Sequence, residues 1–211
     1  MQIQQNQKSY SPQFKALHVA NVGDLRLYKI TTAADKIFLK KLAKEVKTHN
    51  LMPDIPEAKT YKWNEILNYA VECADLPDSV TYIETLNNKP CGIISFTLEK
   101  EISTLDAICT WPIKIGEKVK FAGKALFFQL FKDFQEFHGD KLYLDAITDG
   151  PYNVINKYEK LGFENTKKVF NNEVLMKTDS NIIKNMLQKL SSIIDYKPVA
   201  PHNINLRNLD K

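Results

Sequence analysis

The sequence predicts a mixed α/β (α+β) fold, in which a mixed, mostly antiparallel central sheet of about six to seven strands has helices on both faces. Three short apolar strands over residues 79–111 follow one another through short connections, as in an antiparallel meander. The last of them leads into an amphipathic helix and then another strand that ends near residue 148. A strand–helix–strand unit places its two strands in parallel, so one sheet is expected to contain both arrangements.

The segment before the meander is predicted to contribute one strand and two helices. Residues 24–30 alternate apolar and polar side chains, which is typical of a half-buried strand. Apolar residues recur at helical spacing over 33–47 and again over 61–75. The Pro-containing stretch 50–60 separates these two helices.

The segment after the meander is predicted to alternate between helices and strands. Gly162 follows a short helical pattern and is a typical residue for ending a helix. The predicted elements are the helix 122–138, the strand 141–148, the helix 152–162, the strands 163–169 and 172–177, and the amphipathic helix 182–194.

The two ends of the chain differ in composition from its centre. We divide the chain into an N-terminal polar tail (1–23), a domain (24–178), and a C-terminal helix and tail (179–211) packed on the domain. The first 20 or so residues are rich in Gln, Asn and Ser, so a loose tail and a late-added strand both remain open. The terminal helix either packs within the chain or forms a dimer contact, which leaves a homodimer open.

Composition argues against several classes of protein. No apolar run approaches the length of a membrane span, and the N-terminus lacks the apolar core of an export signal. We therefore expect a cytoplasmic protein that does not bind membranes. The formal net charge is only +4, and acidic residues interleave with the lysines, so no nucleic-acid partner is expected.

The cysteines and histidines indicate neither a disulfide framework nor a metal site. Three cysteines lie far apart in the sequence, and the four histidines do not cluster. Cys109 and His138 are the residue types of a nucleophile–base pair, but no third orienting residue is apparent. A buried cysteine and an exposed histidine are the better interpretation.

Three segments in fixed order point to a known family. They are the strand ISTLDAICTWP (102–112), the loop and helix KVKFAGKALFFQLF (118–131), and NKYEKLGF (156–163). Together they resemble the acyl-CoA-binding core of the GCN5-related N-acetyltransferases, the GNAT superfamily, with this chain as a divergent member. The resemblance covers about 24–178, its motifs are clear only within 90–170, and its most specific piece runs from Tyr158 to Phe163.

The resemblance implies the acyl-CoA N-acyltransferase fold and a particular reaction. An acetyl group would pass from acetyl-CoA, a cosubstrate, to a primary amine by direct attack within a ternary complex, without a metal. The acceptor would be an amine-bearing small molecule or peptide. In this family the acceptor is set by the first two helices and the closing hairpin, here 33–75 and 163–177. Their mixed charges do not choose between peptide, polyamine and antibiotic.

The loop before the helix 122–138 is the predicted pyrophosphate site. Free N–H groups at a helix start attract phosphate, and three lysines add positive charge, although a solvated Lys-rich helix start is the alternative. The family pattern is Arg or Gln, two residues, Gly, one residue, then Gly or Ala, so a phenylalanine occupies the middle glycine position. The predicted cofactor-binding residues of this loop are Lys118, Val119, Lys120, Phe121, Ala122, Gly123 and Lys124.

Two further segments are predicted to contact the cosubstrate. In the resembled family the strand end corresponding to Thr110, Trp111 and Pro112 splays from its neighbour and exposes main-chain groups to the pantetheine arm. One such N–H would polarise the thioester carbonyl. The connection 113–117 is longer than usual. Asn153 is a weaker candidate for binding CoA, since the family's asparagine lies farther upstream of the tyrosine.

Tyr158 is the predicted catalytic acid, and Asp106 the first candidate for a general base. A phenol near the thioester would protonate the departing thiolate, and a packing tyrosine is the alternative. The attacking amine must be neutral, so a carboxylate with a tuned pKa is a natural base. Asp145 is a second candidate, and Glu72 and Glu84 are weaker ones. A water relay, or no dedicated base, also fits the sequence.

A second hypothesis keeps the fold without the reaction. The phenylalanine in the phosphate loop, the long connection before it and the missing asparagine are compatible with a catalytically weak or inactive acyl-CoA-binding or interaction module.

Overall fold

A computed structural model describes residues 16–150 and 152–204 of the chain. None of the helices in these two ranges is both long and apolar enough to cross a membrane. The elements in chain order are β1 (Ala16–Val22), β2 (Leu25–Lys29), α1 (Ala33–Glu45), α2 (Thr48–Leu51), α3 (Glu57–Cys73), β3 (Ser79–Leu86), β4 (Lys89–Thr97), β5 (Ile102–Thr110), α4 (Ala122–Phe137), β6 (Lys141–Ile147), α5 (Ile155–Lys160), β7 (Glu164–Phe170), β8 (Glu173–Asp179), α6 (Ser180–Ser191) and β9 (Tyr196–Ile204).

One sheet contains all nine of these strands, in the spatial order β7-β8-β6-β5-β4-β3-β2-β1-β9. Only β5 and β6 run parallel, with α4 crossing between them, and the other pairs for which a register is given are antiparallel. The predicted mixed, mostly antiparallel sheet is confirmed, but it has more strands than the predicted six to seven.

The two additional strands lie at one end of the sheet. β1 pairs with β2 on one side and with β9 on the other, so both ends of the described chain join the sheet. β9 contains Pro198 and Pro201, which made this segment resemble a polar tail. Proline is compatible with an edge strand because its missing N–H can face away from the neighbouring strand. The rest of the predicted tails, 1–15 and 205–211, lies outside the described residues.

Helices cover both faces of the sheet and form two separate cores. On one face α1 and α3 pack through side chains such as Leu39 and Leu67, both fully buried. On the other face α4 and α6 pack through a phenylalanine-rich cluster that includes Phe131 and Phe134. Open space remains beside β5 on both faces, and on the α1–α3 face it extends across β6 and β8.

Capping chemistry explains where α1 and α3 begin. Thr32 caps α1, and its hydroxyl and the Asp35 carboxylate form a reciprocal capping box. The short α2 ends just inside the predicted break over 50–60, and α3 begins at Glu57, directly after Pro56 and four residues earlier than predicted. Proline suits a helix start because the N–H it lacks has no partner there.

Gly162 ends α5 as predicted, and the structure shows why glycine is needed. Its φ is +88°, in the left-handed region that favours glycine. A Cβ at this position would lie 2.5 Å from Ile182 Cγ2 on α6, so α6 packs directly against the glycine backbone. Gly162 therefore fixes both the end of α5 and its distance from α6.

β5 and β6 separate after only four paired residues. Their pairing runs from Ile102–Lys141 to Leu105–Leu144 and stops there, although both strands continue. On the other side of β5, the register with β4 shifts between Ala107 and Leu105, which leaves Asp106 without a partner. A bulge of this kind bends a strand and re-aims its side chains. The bulge at Asp106 thus coincides with the point at which β5 leaves β6.

Glu84 on β3 is a fully buried carboxyl group inside the sheet's α4 face. Neither of its carboxyl oxygens has a hydrogen-bond partner among the described residues, and burial raises its pKa well above the ordinary value. It lies opposite Gly92, where an added Cβ would be 2.9 Å from Glu84 Oε2. Glycine at position 92 therefore makes room for the Glu84 side chain.

The buried Glu84 predicts a pH-dependent stability. The unfolded chain ionises this group above about pH 4, whereas the folded chain keeps it protonated up to its raised pKa. Its stabilising contribution is therefore complete below about pH 4 and is lost as the pH rises through the folded pKa. Glu84→Gln cannot ionise, so its Tm relative to wild type should rise by roughly 3–5 °C per pH unit within that window.

Thermal unfolding of both proteins between pH 4 and pH 8 measures this difference. Glu45→Gln, at an exposed position on α1, is the control and should leave a constant difference. A Tm difference for Glu84→Gln that does not change with pH would show that Glu84 is ionised in the folded protein.

Candidate active site

Two cavities flank the place where β5 and β6 separate. One, of about 610 Å³, lies among the start of α4, α5 and α6. The other, of about 480 Å³, lies among α3, β5, β6 and β8. We call them the α4 cavity and the α3 cavity. Four residues line both of them: Trp63, Ile108, Val154 and Tyr158. The cavities therefore meet at the separated strands.

The main chain of β5 offers polar groups at this meeting point. Trp111 N–H donates to the Cys91 carbonyl on β4, 2.8 Å away, so these two residues form a hydrogen-bonded pair. Hydrogen-bonded and non-hydrogen-bonded pairs alternate along antiparallel strands, so Thr110 and Ile108 direct their main-chain groups away from β4. The Trp63 indole N–H donates to the Thr110 carbonyl at 2.8 Å, which agrees with this direction. The N–H groups of Ile108 and Thr110 thus face the gap left by β6.

The start of α4 lies beside the same gap. Ala125 N–H is the first to reach a helical acceptor, the Phe121 carbonyl at 2.9 Å, so the preceding N–H groups of the first turn point out of the helix end. Phe121 itself has φ of +68°, the left-handed conformation that favours glycine. The backbone therefore follows, at the middle position of the loop, a path that glycine would adopt readily. The Phe121 side chain therefore does not force the loop onto a different backbone path.

Lysines from three helices surround the α4 cavity. Its lining contains four lysines and no acidic residue, and these lysines are Lys124, Lys157, Lys160 and Lys189. The loop lysines Lys118 and Lys120 are exposed nearby, although neither lines the cavity. Like charges held this closely favour a polyanionic ligand, because such a ligand removes their mutual repulsion.

Tyr152 holds two of the lysines in position. Lys157 Nζ lies 4.3 Å from the centre of its ring and Lys118 Nζ lies 5.6 Å away, both in the range of cation–π attraction. Partial burial, and then the positive charge of Lys118, lower the pKa of Lys157. The Tyr152 ring also meets Trp63 edge-on at 5.9 Å, which ties the lysine pair to α3.

Tyr158 stands where the two cavities meet. Its half-buried ring packs edge-on against Phe127 of α4 at 5.8 Å and against Phe163 at 6.1 Å. Burial raises its pKa to about 12, and the nearby Cys109 adds to the shift. The phenol is therefore fully protonated near neutral pH and available as a hydrogen-bond donor.

Asp106 lies at the bulge and lines the α3 cavity. Its carboxylate accepts hydrogen bonds from Thr104 Oγ1 at 2.7 Å and Thr97 Oγ1 at 2.9 Å. Burial raises its pKa, and the two threonine hydroxyls oppose that shift by stabilising the charged form. The two hydroxyls fix the orientation of the carboxylate within the half-buried site.

The α3 cavity contains further carboxylates and aromatic rings. Asp145 on β6 and Glu173 on β8 line it together with Tyr69 and Tyr143. Burial and the neighbouring Cys73, and then the charges of Asp106 and Glu173, raise the pKa of Tyr69 to about 12. The carboxylates of Asp106 on β5 and Glu173 on β8 thus raise the pKa of the same phenol from different strands. Across 16–150 and 152–204, no group of three His, Cys, Asp or Glu residues is arranged to hold a metal ion.

Several residues selected from sequence lie around the α4 cavity, and others do not. Trp111 is buried in the core beneath α3, and Asn153 is exposed before α5; neither lines a cavity described here. Their predicted roles stay predictions. The predicted residues that line the α4 cavity are Thr110, Val119, Phe121, Ala122, Gly123, Lys124 and Tyr158.

The weaker candidate bases lie outside both cavities, and the cysteine and histidine of the possible nucleophile pair lie far from each other. Glu72 is exposed on α3 outside both cavities, and Glu84 is enclosed in the core. Cys109 is buried near the end of β5, whereas His138 follows α4 near the start of β5, roughly 20 Å away along the strand. Burial also raises the pKa of the Cys109 thiol well above its ordinary value, so Cys109 and His138 do not form a nucleophile pair.

The structure adds site residues that sequence reasoning missed. Lys157 and Lys160 flank Tyr158 on α5, and Lys189 comes from α6. The sequence signal for the first two was the basic character of NKYEKLGF beside an already suspected tyrosine. Lys189 gave no such signal, because its approach depends on the packing of α6 against Gly162.

This architecture is also found in solved structures of known proteins. Neither a protein-family model nor a curated protein sequence matches the chain. Among solved structures, the PaiA N-acetyltransferase of Thermoplasma acidophilum in complex with coenzyme A is 14% identical, with a TM-score of 0.51 over 72% of this chain and 98% of that one. An aminoglycoside 6'-N-acetyltransferase complexed with coenzyme A is 12% identical, with a TM-score of 0.51 over 71% and 94%.

A third solved structure covers more of the chain. Apo FdhC, described as a nucleotide-linked sugar GNAT, is 12% identical and has a TM-score of 0.52 over 85% of this chain and 96% of that one. At these identities the likeness is one of fold. The mixed sheet, its single parallel pair and these structural neighbours together identify the fold as that of the GCN5-related N-acetyltransferases.

Proposed function

We propose that this protein transfers an acetyl group from acetyl-CoA to a primary amine. The observation that supports this most strongly is the arrangement around the separated strands. A lysine-lined cavity lies on one side, a carboxylate-lined cavity lies on the other, and Tyr158 stands at their junction. Two of the structural neighbours are complexes with coenzyme A, which agrees with the same cosubstrate here.

The residues of the α4 cavity fit coenzyme A. A pyrophosphate is a concentrated anion, and the free N–H groups at the start of α4 suit it. Lys124, Lys157, Lys160 and Lys189 would then neutralise the phosphates. The pantetheine arm contains amide groups, and the exposed main-chain groups of Ile108 and Thr110 would pair with them as a strand edge pairs with an added strand.

In the proposed reaction the acceptor approaches from the α3 cavity. The neutral amine nitrogen attacks the thioester carbonyl carbon, a C–N bond forms, and the carbonyl oxygen gains negative charge. A main-chain N–H of Ile108 or Thr110 would stabilise that charge. The C–S bond then breaks and coenzyme A leaves as its thiol. Asp106, directly or through water, would accept the proton that the amine nitrogen loses.

Tyr158 would act on the departing sulfur. An ordinary thiol has a pKa near 8.5, so full proton transfer from a phenol of pKa about 12 is uphill by roughly 3–4 units. The contribution of the phenol is therefore strongest as a hydrogen bond donated while negative charge develops on sulfur. Its proton passes to sulfur as the thiol departs, and a proton from water then restores the phenol. This role needs the protonated phenol, which the raised pKa maintains.

The rival hypothesis is a module that binds acyl-CoA without transferring the acyl group. Phe121 is one of its three sequence supports, besides the long connection before the loop and the missing asparagine, because a side chain replaces glycine in the phosphate loop. The left-handed conformation of Phe121 weakens that support, since the backbone there adopts the conformation that glycine favours. Coenzyme A binding without transfer to any amine in a broad panel would nevertheless favour this module.

The cation cluster predicts which substitutions weaken cofactor binding. Lys189→Ala should raise the Kd of coenzyme A roughly tenfold, because a charge-assisted hydrogen bond to phosphate is lost. Lys184→Ala is the matched control, because Lys184 is exposed on the same helix outside the cavity. Isothermal titration calorimetry measures the Kd of coenzyme A for both variants. Equal Kd values for the two variants would place the phosphates elsewhere.

The substitution Tyr158→Phe tests whether the Tyr158 hydroxyl acts as the general acid. The substitution removes the hydroxyl and keeps the ring contacts with Phe127 and Phe163, so the fold and the Kd of coenzyme A should be unchanged. We expect kcat to fall by roughly 10²–10⁴-fold, the range for losing a general acid. Tyr61→Phe, at an exposed position on α3, is the control. Coenzyme A release measured against acetyl-CoA and an amine gives kcat, and an unchanged value would remove Tyr158 from the mechanism.

A further inference from the structure

The charges of the α3 cavity indicate what kind of amine it accepts. Its lining contains four carboxylates and one lysine. Lys62 Nζ lies 3.3 Å from Glu65 Oε2, so that cation is already paired on α3. The other three carboxylates, Asp106, Asp145 and Glu173, form no ion pair with any residue in the described ranges.

The sheet register brings these three carboxylates to one region. Glu173 pairs with Ile147 on β6, two residues beyond Asp145, so Asp145 and Glu173 are diagonal neighbours roughly 7–8 Å apart on one face. Asp106 follows Leu105, the last residue paired with β6, and so lies across the separation from Asp145. The negative charge thus extends from the junction at Tyr158 outward across β6 to β8.

The three carboxylates do not have the same surroundings. The hydroxyls of Thr97 and Thr104 hold Asp106 beside the junction. Asp145 and Glu173 have no side-chain hydrogen-bond partner among the described residues, and they lie farther out along β6 and β8. One carboxylate is therefore fixed near the proposed reacting atoms, and two are available to bind a ligand.

The rest of the cavity wall also suits a cation. Three aromatic side chains, Trp63, Tyr69 and Tyr143, line it, and the faces of such rings attract ammonium groups. A ligand with its own carboxylate or phosphate would face three unpaired negative charges at short range. The α4 cavity, lined by lysines without an acidic residue, has the opposite preference.

We propose that the acceptor is a small polyamine or amino-sugar-like molecule that carries at least two amino groups separated by several carbon atoms. This inference rests on the proposed acetyl transfer. One amine, deprotonated near Asp106, is the nucleophile. A second amine stays protonated and binds between Asp145 and Glu173. Free amino acids are poor acceptors, because their carboxylate is adjacent to the amine and meets the same negative charges.

A pair of acceptors of equal length tests this specificity. 1,4-Diaminobutane has a second ammonium group and butylamine does not, and both are supplied to the full chain with acetyl-CoA. We expect kcat/KM for the diamine to exceed that for butylamine at least tenfold, as expected for one charge-assisted contact. Asp145→Asn and Glu173→Gln should each raise the KM for the diamine roughly tenfold and leave KM for butylamine within about twofold.

Two controls accompany these measurements. Glu45→Gln removes an exposed carboxylate of α1 outside both cavities and should leave both acceptors unaffected. The Kd of coenzyme A should be unchanged in every variant, because none of the substituted residues lines the α4 cavity. Calorimetric titration of the diamine and of butylamine into the protein saturated with coenzyme A adds a readout that needs no turnover.

The outcomes separate this inference from the proposed function. Equal use of butylamine and diamine, with no effect of the two variants, overturns the polyamine specificity and leaves acetyl transfer standing. If no amine is acetylated, diamine binding that Asp145→Asn and Glu173→Gln weaken supports the cation site and overturns the transfer activity. If the diamine is neither acetylated nor bound, the inference is overturned as well.

Discussion

The separation of β5 from β6 is the constraint on which the other features of this site depend. A buried main-chain N–H or C=O group without a partner is costly, so strands that part in mid-sheet must offer their free groups to water or to a ligand. Here they part at Asp106, where a bulge in the β4–β5 register bends the strand. The parallel pairing before that point requires the α4 crossover, which brings a helix start to the opened edge.

Electrostatics then divides the opened region into two halves. Among the described residues, the four lysines of the α4 cavity and three of the four carboxylates of the α3 cavity form no ion pair. Either set alone would destabilise the compact state through repulsion of like charges. Their retention on opposite sides of one tyrosine is therefore better explained by two ligands of opposite charge than by folding. The anionic cosubstrate and the cationic acceptor that we propose would meet this requirement together, with their reacting ends both at Tyr158.

Local patterns predicted most of the fold, and motifs selected part of the candidate site. Hydrophobic periodicity identified β2 to β6, β8 and the helices α1, α3, α4 and α6, because each buries at least one face. The exposed α5 and β7 were placed instead by the helix-ending Gly162 and by the turn residues Asn171 and Asn172. The sequence does not assign β1 and β9 to the sheet, because β1 follows a polar segment and Pro198 obscures the edge strand β9, which pairs with β1. The resemblance to the GNAT motifs selected the loop before α4 and Tyr158 as candidates. The bulge at Asp106 and the approach of Lys189 were not predicted, because both depend on contacts between segments distant in sequence.

Phe121 illustrates how a substitution in a motif can be accommodated by its neighbours. A non-glycine residue in the left-handed region costs roughly 1–2 kcal/mol, so the chain needs a compensating contact. The ring is half-buried against the phenylalanine-rich core, and it lies 4.8 Å from Lys120 Nζ and 5.5 Å from Lys124 Nζ. These contacts hold two cations at the helix start. A carboxylate would neutralise the lysines, whereas an aromatic ring leaves their positive charge in place. The phenylalanine thus replaces the flexibility of glycine with an aromatic support for positive charge.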